Sequence, residues 1–171
     1  MIHLYCGDGK GKTTASVGLA VRACGSGKRV MFTQFLKGQE TGELSCLRLL
    51  PEITVLRGNL SKKFTFQMTA EERKAEAAEN ERLLEEAFHQ ARENGVQLLI
   101  LDESVTAARR DMISGERLKE LVESHRENFE IVMTGAVPDG WMVELADYVT
   151  DMEKIKHPFD KGVKARAGIE Y

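Results

Sequence analysis

Three observations predict an α/β fold of parallel strands joined by crossover helices. Short apolar, β-prone runs alternate with longer helical patterns from one end of the chain to the other. The first of these runs passes straight into a glycine-rich segment ending Lys12-Thr13-Thr14, the form a phosphate loop takes between a strand and a helix. The length of 171 residues, with 42% hydrophobic and 30% charged side chains, suits one domain spanning 1–171. A chain of that size buries about 70% of the surface exposed when unfolded, enough for a core without disulfides or structural metals.

Six runs are short enough to be buried strands: 2–6, 29–35, 53–56, 97–102, 130–134 and 148–151. The best-marked helix is 69–94. Thr69-x-x-Glu72 is a capping-box pattern, Leu84, Ala87, Phe88 and Ala91 recur at i, i+3, i+4 and i+7, and Asn94-Gly95 supplies the stop. Its many glutamates read as a solvated face. Trp141 follows a Pro138-Asp139-Gly140 turn and is expected to pack a helix start onto the sheet. Segments 37–43 and 57–68 fit neither period, and scaffolds of this kind place function in such loops.

The balance of 24 Lys+Arg against 27 Asp+Glu gives a formal charge of −3 and no global field for gripping nucleic acid or anionic lipid. One local basic cluster lies at 154–166, where Lys154, Lys156, Lys161, Lys164 and Arg166 face only Asp160. Cys6, Cys24 and Cys46 are odd in number and form no C-x-x-C pair, which argues against a disulfide framework or zinc site and for a reducing cytoplasm. No stretch approaches the roughly eighteen apolar residues of a membrane span, and Ile2-His3-Leu4-Tyr5 is no signal core, so no membrane association is expected. His3, His89, His125 and His157 lack ligand spacing. Cys6 reads as a small buried residue at a strand end, and Arg109-Arg110 as a solvated helix end.

The strongest signal is Gly7-Asp8-Gly9-Lys10-Gly11-Lys12-Thr13-Thr14. A polyphosphate needs inward-pointing backbone N–H groups, which glycines permit, and the following helix adds the positive end of its dipole. Lys12 then reaches phosphate oxygens, and the Thr13 hydroxyl is placed to ligate Mg²⁺. The loop is one residue shorter than the usual G-x-x-x-x-G-K-[ST] spacing, because Cys6 stands six before Lys12. A second half-site is expected at Leu98-Leu99-Ile100-Leu101-Asp102-Glu103, an apolar run ending in two acids. Adjacent strand residues point opposite ways, so one acid faces the metal while the other orients water or the loop; the sequence leaves open which.

These two motifs, with Gln34-Phe35-Leu36-Lys37-Gly38 between them and the tail Lys156-His157-Pro158-Phe159-Asp160-Lys161-Gly162-Val163-Lys164-Ala165-Arg166-Ala167-Gly168-Ile169-Glu170-Tyr171 after them, resemble the ATP:corrinoid adenosyltransferase family in order and spacing. The tail is the most specific part, since its K-H-x-[FY]-D-x-G-x-K-A-x-x-G-I-[DE]-Y form is not general among phosphate-loop proteins. The resemblance implies a RecA-like P-loop NTPase fold, a three-layer sandwich around a mostly parallel sheet of the six strands, in a homodimer, and the cytoplasmic location read from the cysteines stands beside it. It implies transfer of the adenosyl group of ATP to the cobalt of a reduced corrinoid such as cob(I)alamin or cobinamide. Co(I) attacks the ribose 5′-carbon of a nucleotide lying reversed in its loop, triphosphate leaves, and a flavoprotein is the candidate reductant.

Carried over by position, the resemblance assigns nucleotide binding to Gly7 through Thr14 and to Lys156, His157 and Lys164 in the tail. It assigns Mg²⁺ to Thr13 and Glu103 with Asp102 beside them, and makes Lys12 catalytic. Phe64-Thr65-Phe66 resembles the family's Phe-Thr-Trp loop, so Phe64 and Phe66 become the apolar wall that packs on the corrinoid and excludes its lower ligand. Four positions depart from the pattern: Asp8 replaces Asn, Phe66 replaces Trp, Ala136 stands where Arg follows Thr-Gly, and Asp151-Met152-Glu153-Lys154 replaces a segment carrying Arg-Pro. Lys154 and Lys156 are the nearest substitutes for the missing cation. The family's longer N-terminal segment has no counterpart before the first strand, so the corrinoid pocket is expected to be more open or completed by a partner subunit. The alternatives are a phosphate-loop ATPase or small-molecule kinase, with Arg109-Arg110 as the only lid candidates, and a non-catalytic nucleotide- or corrinoid-binding paralogue.

Overall fold

The computed structural model describes residues 1–61, 63 and 67–170. In chain order the elements are β1 (Ile2–Cys6), α1 (Lys12–Gly25), β2 (Val30–Gln34), α2 (Gly42–Leu47), β3 (Ile53–Arg57), α3 (Ala70–Glu93), β4 (Leu98–Asp102), α4 (Ser104–Arg109), α5 (Gly115–His125), β5 (Glu130–Thr134), α6 (Gly140–Leu145) and β6 (Tyr148–Asp151). The six strands form one sheet in the order β3-β2-β4-β5-β1-β6, and its pairings are all parallel. Each predicted strand lies within one residue of an observed one.

The central strands read as unbroken apolar runs because both their faces are covered. Successive residues alternate between two cores: Met31, Leu99, Leu101, Ile131 and Met133 face one way, while Val30, Phe32, Leu98, Ile100 and Val132 face the other. Helix α3 packs on the first face through Leu83, Leu84, Ala87, Phe88 and Ala91, joined by Leu118, Leu121 and Val122 of α5 and Met142 of α6. Ala20 and Ala23 of α1 and Leu44 and Leu47 of α2 cover the second face. This is the expected three-layer sandwich. Trp141 packs against the first core at the start of α6, as expected.

Helix α3 begins where its cap dictates. The Thr69 side chain accepts from the Glu72 N–H at 3.2 Å, and the Glu72 carboxylate accepts from the Thr69 N–H at 3.0 Å. The expectation of a purely solvated glutamate face fails at its N-terminal half, where Glu76 is buried along with Asn80. Both serve loop backbone: the Glu76 carboxylate accepts from the Ser61 N–H at 2.9 Å, and Asn80 Oδ1 accepts from the Leu36 N–H at 3.3 Å. Half-buried Glu79 does the same for the Asn59 N–H at 2.7 Å. Glu76 and Glu79 thus fasten segment 57–68, and Asn80 holds Leu36 immediately before 37–43, so that the two segments the sequence left unassigned are steadied from α3 where they border the site.

Candidate active site

All parallel strands end on one edge of the sheet, which is where ligands bind in open α/β folds. From β1 the chain enters the phosphate loop. Gly7 takes a φ of 99°, and a Cβ there would lie 2.2 Å from Asp151 Oδ1 and 2.6 Å from the Met152 carbonyl. At Gly9 a Cβ would lie 2.4 Å from that same carbonyl. Only glycines let the loop press against the chain leaving β6, where the Gly9 N–H donates to Met152 O at 2.6 Å and the Met152 N–H to Cys6 O at 2.9 Å. The Asp8 carboxylate accepts from the Lys154 N–H at 3.0 Å, so the residue that replaces Asn serves as a tie between loop and tail.

The loop leads into α1, which has neither a side-chain cap nor an acidic residue in its first turn. Its first N–H groups are thereby left for an anion. Lys12 curls back over the loop, donating to the Gly7 and Gly9 carbonyls at 2.7 Å each. The Thr13 hydroxyl instead points across the sheet edge and donates to Asp102 Oδ1 at 2.9 Å.

Asp102, at the end of β4, is fully buried and is the hub of the site. Its Oδ1 also accepts from Thr134 Oγ1 at 2.8 Å, and its Oδ2 accepts from Gln34 Nε2 and Lys37 Nζ, both at 3.1 Å. Strand order explains the convergence: β4 lies between β2, with Gln34 in register with Asp102, and β5, which ends in Thr134. Glu103 follows in the left-handed region at φ 63°, its N–H donating to Thr134 Oγ1 at 2.9 Å. A non-glycine residue held there is a strained position of the kind that clusters at functional sites. The turn aims its carboxylate toward Lys37, with Oε1 3.8 Å from Nζ.

Sequence reasoning missed Gln34, Thr134 and, above all, Lys37 as site residues, although Gln34 and Lys37 stand in the quoted Gln34–Gly38 motif. Burial alone would lower the Lys37 ammonium, but Asp102 first, then Glu103 and Glu43, carry it above the ordinary lysine value. Its backbone is pinned from behind by Arg57, which donates to the Lys37 and Gln39 carbonyls and pairs with Glu40 at 3.0 Å. Leu36, just before it, is also left-handed at φ 61°.

Above this edge opens a cavity of ≈ 1070 Å³. Lys10, Thr13, Thr14 and Val17 line it from α1 and its loop, Leu36 to Gln39 and Thr41 to Glu43 from the segment after β2, Ser61 and Lys63 from the segment after β3, and Ala165, Gly168, Ile169 and Glu170 from the tail. Phe64 and Phe66 lie outside the described residues, between Lys63 and Gln67. Lys156, His157 and Lys164 do not line the cavity. His157 accepts from the Phe159 N–H at 3.1 Å and so caps a 3₁₀ turn at Pro158–Lys161, Lys156 and Lys164 are exposed, and Lys154 pairs with Asp160 at 3.0 Å. Glu170 is held down to about 2 by hydrogen bonding from Arg166.

Other residues fall as expected. Cys6 is buried, and burial, then the charge of Asp151, pushes its thiol up. Arg109 ends α4 exposed, 3.5 Å from Asp139. Ala136 brings no cation, but its carbonyl accepts from the Gly7 N–H at 2.8 Å, so that position steadies the phosphate loop through its backbone.

The family model for "ATP:corrinoid adenosyltransferase BtuR/CobO/CobP" matches residues 1–171. The chain belongs to the ATP:corrinoid adenosyltransferase family. Among its relatives, the corrinoid adenosyltransferases of Pseudomonas aeruginosa and Escherichia coli K12 are each 31% identical over all of this chain and over 83% and 85% of their own length. That of a Sinorhizobium species is 33% identical, over 80% of its length. Among solved structures, the cytoplasmic domain of EssC aligns with 96% of this chain and 35% of its own at a TM-score of 0.47 and 14% identity. As a family member the chain is a transferase, with ATP and a corrinoid as substrates, and its reaction is a corrinoid adenosylation of cobalamin biosynthesis.

Proposed function

We propose that the cavity is where ATP and a reduced corrinoid meet, and that the 5′-deoxyadenosyl group passes from one to the other with triphosphate as the leaving group. The lone pair of Co(I) forms a bond to the ribose 5′-carbon as the bond from that carbon to the α-phosphate oxygen breaks. Cobalt leaves as Co(III) and the electron pair leaves on triphosphate. Charge therefore appears on the α-phosphate oxygen, and stabilising it is the task of groups fixed in advance. The uncapped start of α1 and the ammonium of Lys12 meet that need, with Lys12 turning from the Gly7 and Gly9 carbonyls to phosphate.

The residues present fit Mg²⁺. Thr13, Asp102 and Glu103 converge with oxygen donors alone, the ligand type this hard cation takes, and a cation, the Lys37 ammonium, already sits among them. Bound there, Mg²⁺ would screen the triphosphate charge. Asp102, whose oxygens accept four hydrogen bonds, orients Thr13; the Glu103 carboxylate keeps more contact with solvent.

The single observation that carries the reading is the two-sided cavity: a phosphate-binding helix start on one wall and Leu36, Val17 and Ile169 as apolar surface around it. Its volume stands at the top of the range of about 300–1,000 Å³ usual for small-molecule sites, which suits a nucleotide and a macrocycle together. Phe64 and Phe66 complete the apolar wall on the strength of the family motif and of Ser61 and Lys63 beside them in the lining. Lys156, His157 and Lys164 belong to the nucleotide's surroundings by the same motif. A cytoplasmic homodimer served by a flavoprotein reductant belongs to this reading through the family resemblance; the described cysteines are all free, and no described helix is long and apolar enough to cross a membrane.

Incubating the protein with ATP, Mg²⁺ and chemically reduced cob(I)alamin or cobinamide tests the reading. A light-sensitive adenosyl product is expected. Orthophosphate release without alkylated cobalt would contradict it.

A further inference from the structure

Lys37 has a place in the site but no task in the reaction as written. Its Nζ lies 3.1 Å from Asp102 Oδ2, 3.4 Å from Thr13 Oγ1 and 3.8 Å from Glu103 Oε1. Those are the side chains that would hold the nucleotide's metal, so ammonium and metal compete for one position. We propose that Lys37 is a built-in counter-ion, which occupies the metal position while the site is empty and yields it only to a metal arriving with nucleotide, so that metal binding is made conditional on ATP.

Three features support this assignment, which rests on the reading of Thr13, Asp102 and Glu103 as the metal site. Asp102 is fully buried, and a buried carboxylate without a cation is costly, so the empty site needs a positive charge of its own. Free Mg²⁺ dehydrates reluctantly and would have to displace an ammonium already hydrogen-bonded in place. A metal carried on triphosphate differs, because the phosphates offer the displaced ammonium new acceptors.

The local geometry permits the exchange. Arg57 and the left-handed Leu36 fix the backbone on either side, while the Lys37 side chain is 29% exposed and lines the cavity wall facing Thr13 and Thr14. The four-carbon stem can therefore swing from the acids into the cavity while its anchor stays still. After the swing, its charge lies on the side where the triphosphate would accumulate negative charge.

The test uses the whole chain, Mn²⁺ in place of Mg²⁺, and electron paramagnetic resonance of protein-bound metal with and without ATP, no corrinoid being present. Wild type is expected to bind Mn²⁺ appreciably only when ATP is added. Lys37→Met should bind Mn²⁺ without ATP at least about tenfold more tightly than wild type, because a like charge within 4 Å has been removed. Lys37→Arg should keep the wild-type dependence. Circular dichroism checks that Lys37→Met folds, and Lys37→Gln, which can still donate to Asp102, replaces it if it does not. Variants that bind Mn²⁺ without ATP no better than wild type, while ATP-dependent binding persists, overturn the counter-ion. Absence of a bound-metal signal in wild type even with ATP overturns the metal site beneath it, and the counter-ion falls with it.

Discussion

The phosphate edge and the C-terminal tail carry the two strongest sequence motifs of the chain, and they are built in opposite ways. At the edge, Thr13, Gln34, Lys37 and Thr134 all bond to one buried carboxylate, and four parts of the chain far apart in sequence are locked together. In the tail the side-chain bonds are local: Lys154 with Asp160, His157 with the Phe159 N–H, Arg166 with Glu170. Its large apolar residues face outward, with Ile155 84% and Phe159 74% exposed. The edge is thus preorganised before any ligand arrives, which electrostatic stabilisation of a leaving group requires. The tail has its own shape, but its burial in this chain does not account for its apolar side chains.

The contrast can be broken first at Lys12. Lys12→Met should lower kcat/KM by about 10²–10³, the usual loss for one donor to a developing charge, while leaving the thermal midpoint nearly unchanged. Steady-state kinetics beside a melting curve separates the two effects.

Asp102→Asn comes next, because it strikes stability and function together. Removing the charge strands Lys37 near the buried edge, at a cost approaching the about 3–5 kcal/mol of a broken buried pair, reduced by the solvent Lys37 retains. Urea unfolding should register this loss. If stability is unchanged, the edge is not the locked network described here.

Helix α3 sharpens the comparison through the loop it fastens. Hydrogen bonding from Arg82, then from the Asn59 N–H, depresses Glu79 from 4.5 to about 2. A depressed carboxylate contributes stability that is complete above its unfolded value and is lost as pH falls toward the folded one. Unfolding free energy should therefore decline from about pH 4.5 toward pH 2, and Glu79→Gln should flatten that decline. Thr69→Ala removes one half of the capping box and should cost about 1 kcal/mol with turnover intact. Smallest is the effect of Phe159→Ala, which should change stability by less than about 0.5 kcal/mol. A larger loss would mean that the tail packs more tightly than its exposure indicates.

The fold was largely legible because its signals are local. Six apolar runs became six strands, and the Thr69–Glu72 box set the start of α3. The phosphate loop announced its position and its helix. What stayed hidden depends on which strand lies beside which. Lys37 meets Asp102 only because β2 neighbours β4, and no spacing along the chain states that order. Asn80 and Glu76 were legible in principle: they continue the phase of Leu83 and Ala87 one and two turns upstream of Leu83, but their polarity masked them among the glutamates. The tail was legible as a motif and not as a structure, since the 3₁₀ turn capped by His157 gives no periodic signal.

The central claim is that displacement occurs at the sugar carbon, with the three phosphates leaving as one unit. Phosphorus-31 NMR of a reaction containing ATP, Mg²⁺ and cob(I)alamin measures this directly. Intact triphosphate should appear in equal amount to the new cobalt–carbon bond, and ADP with orthophosphate, or any phosphorylated acceptor, would contradict the account.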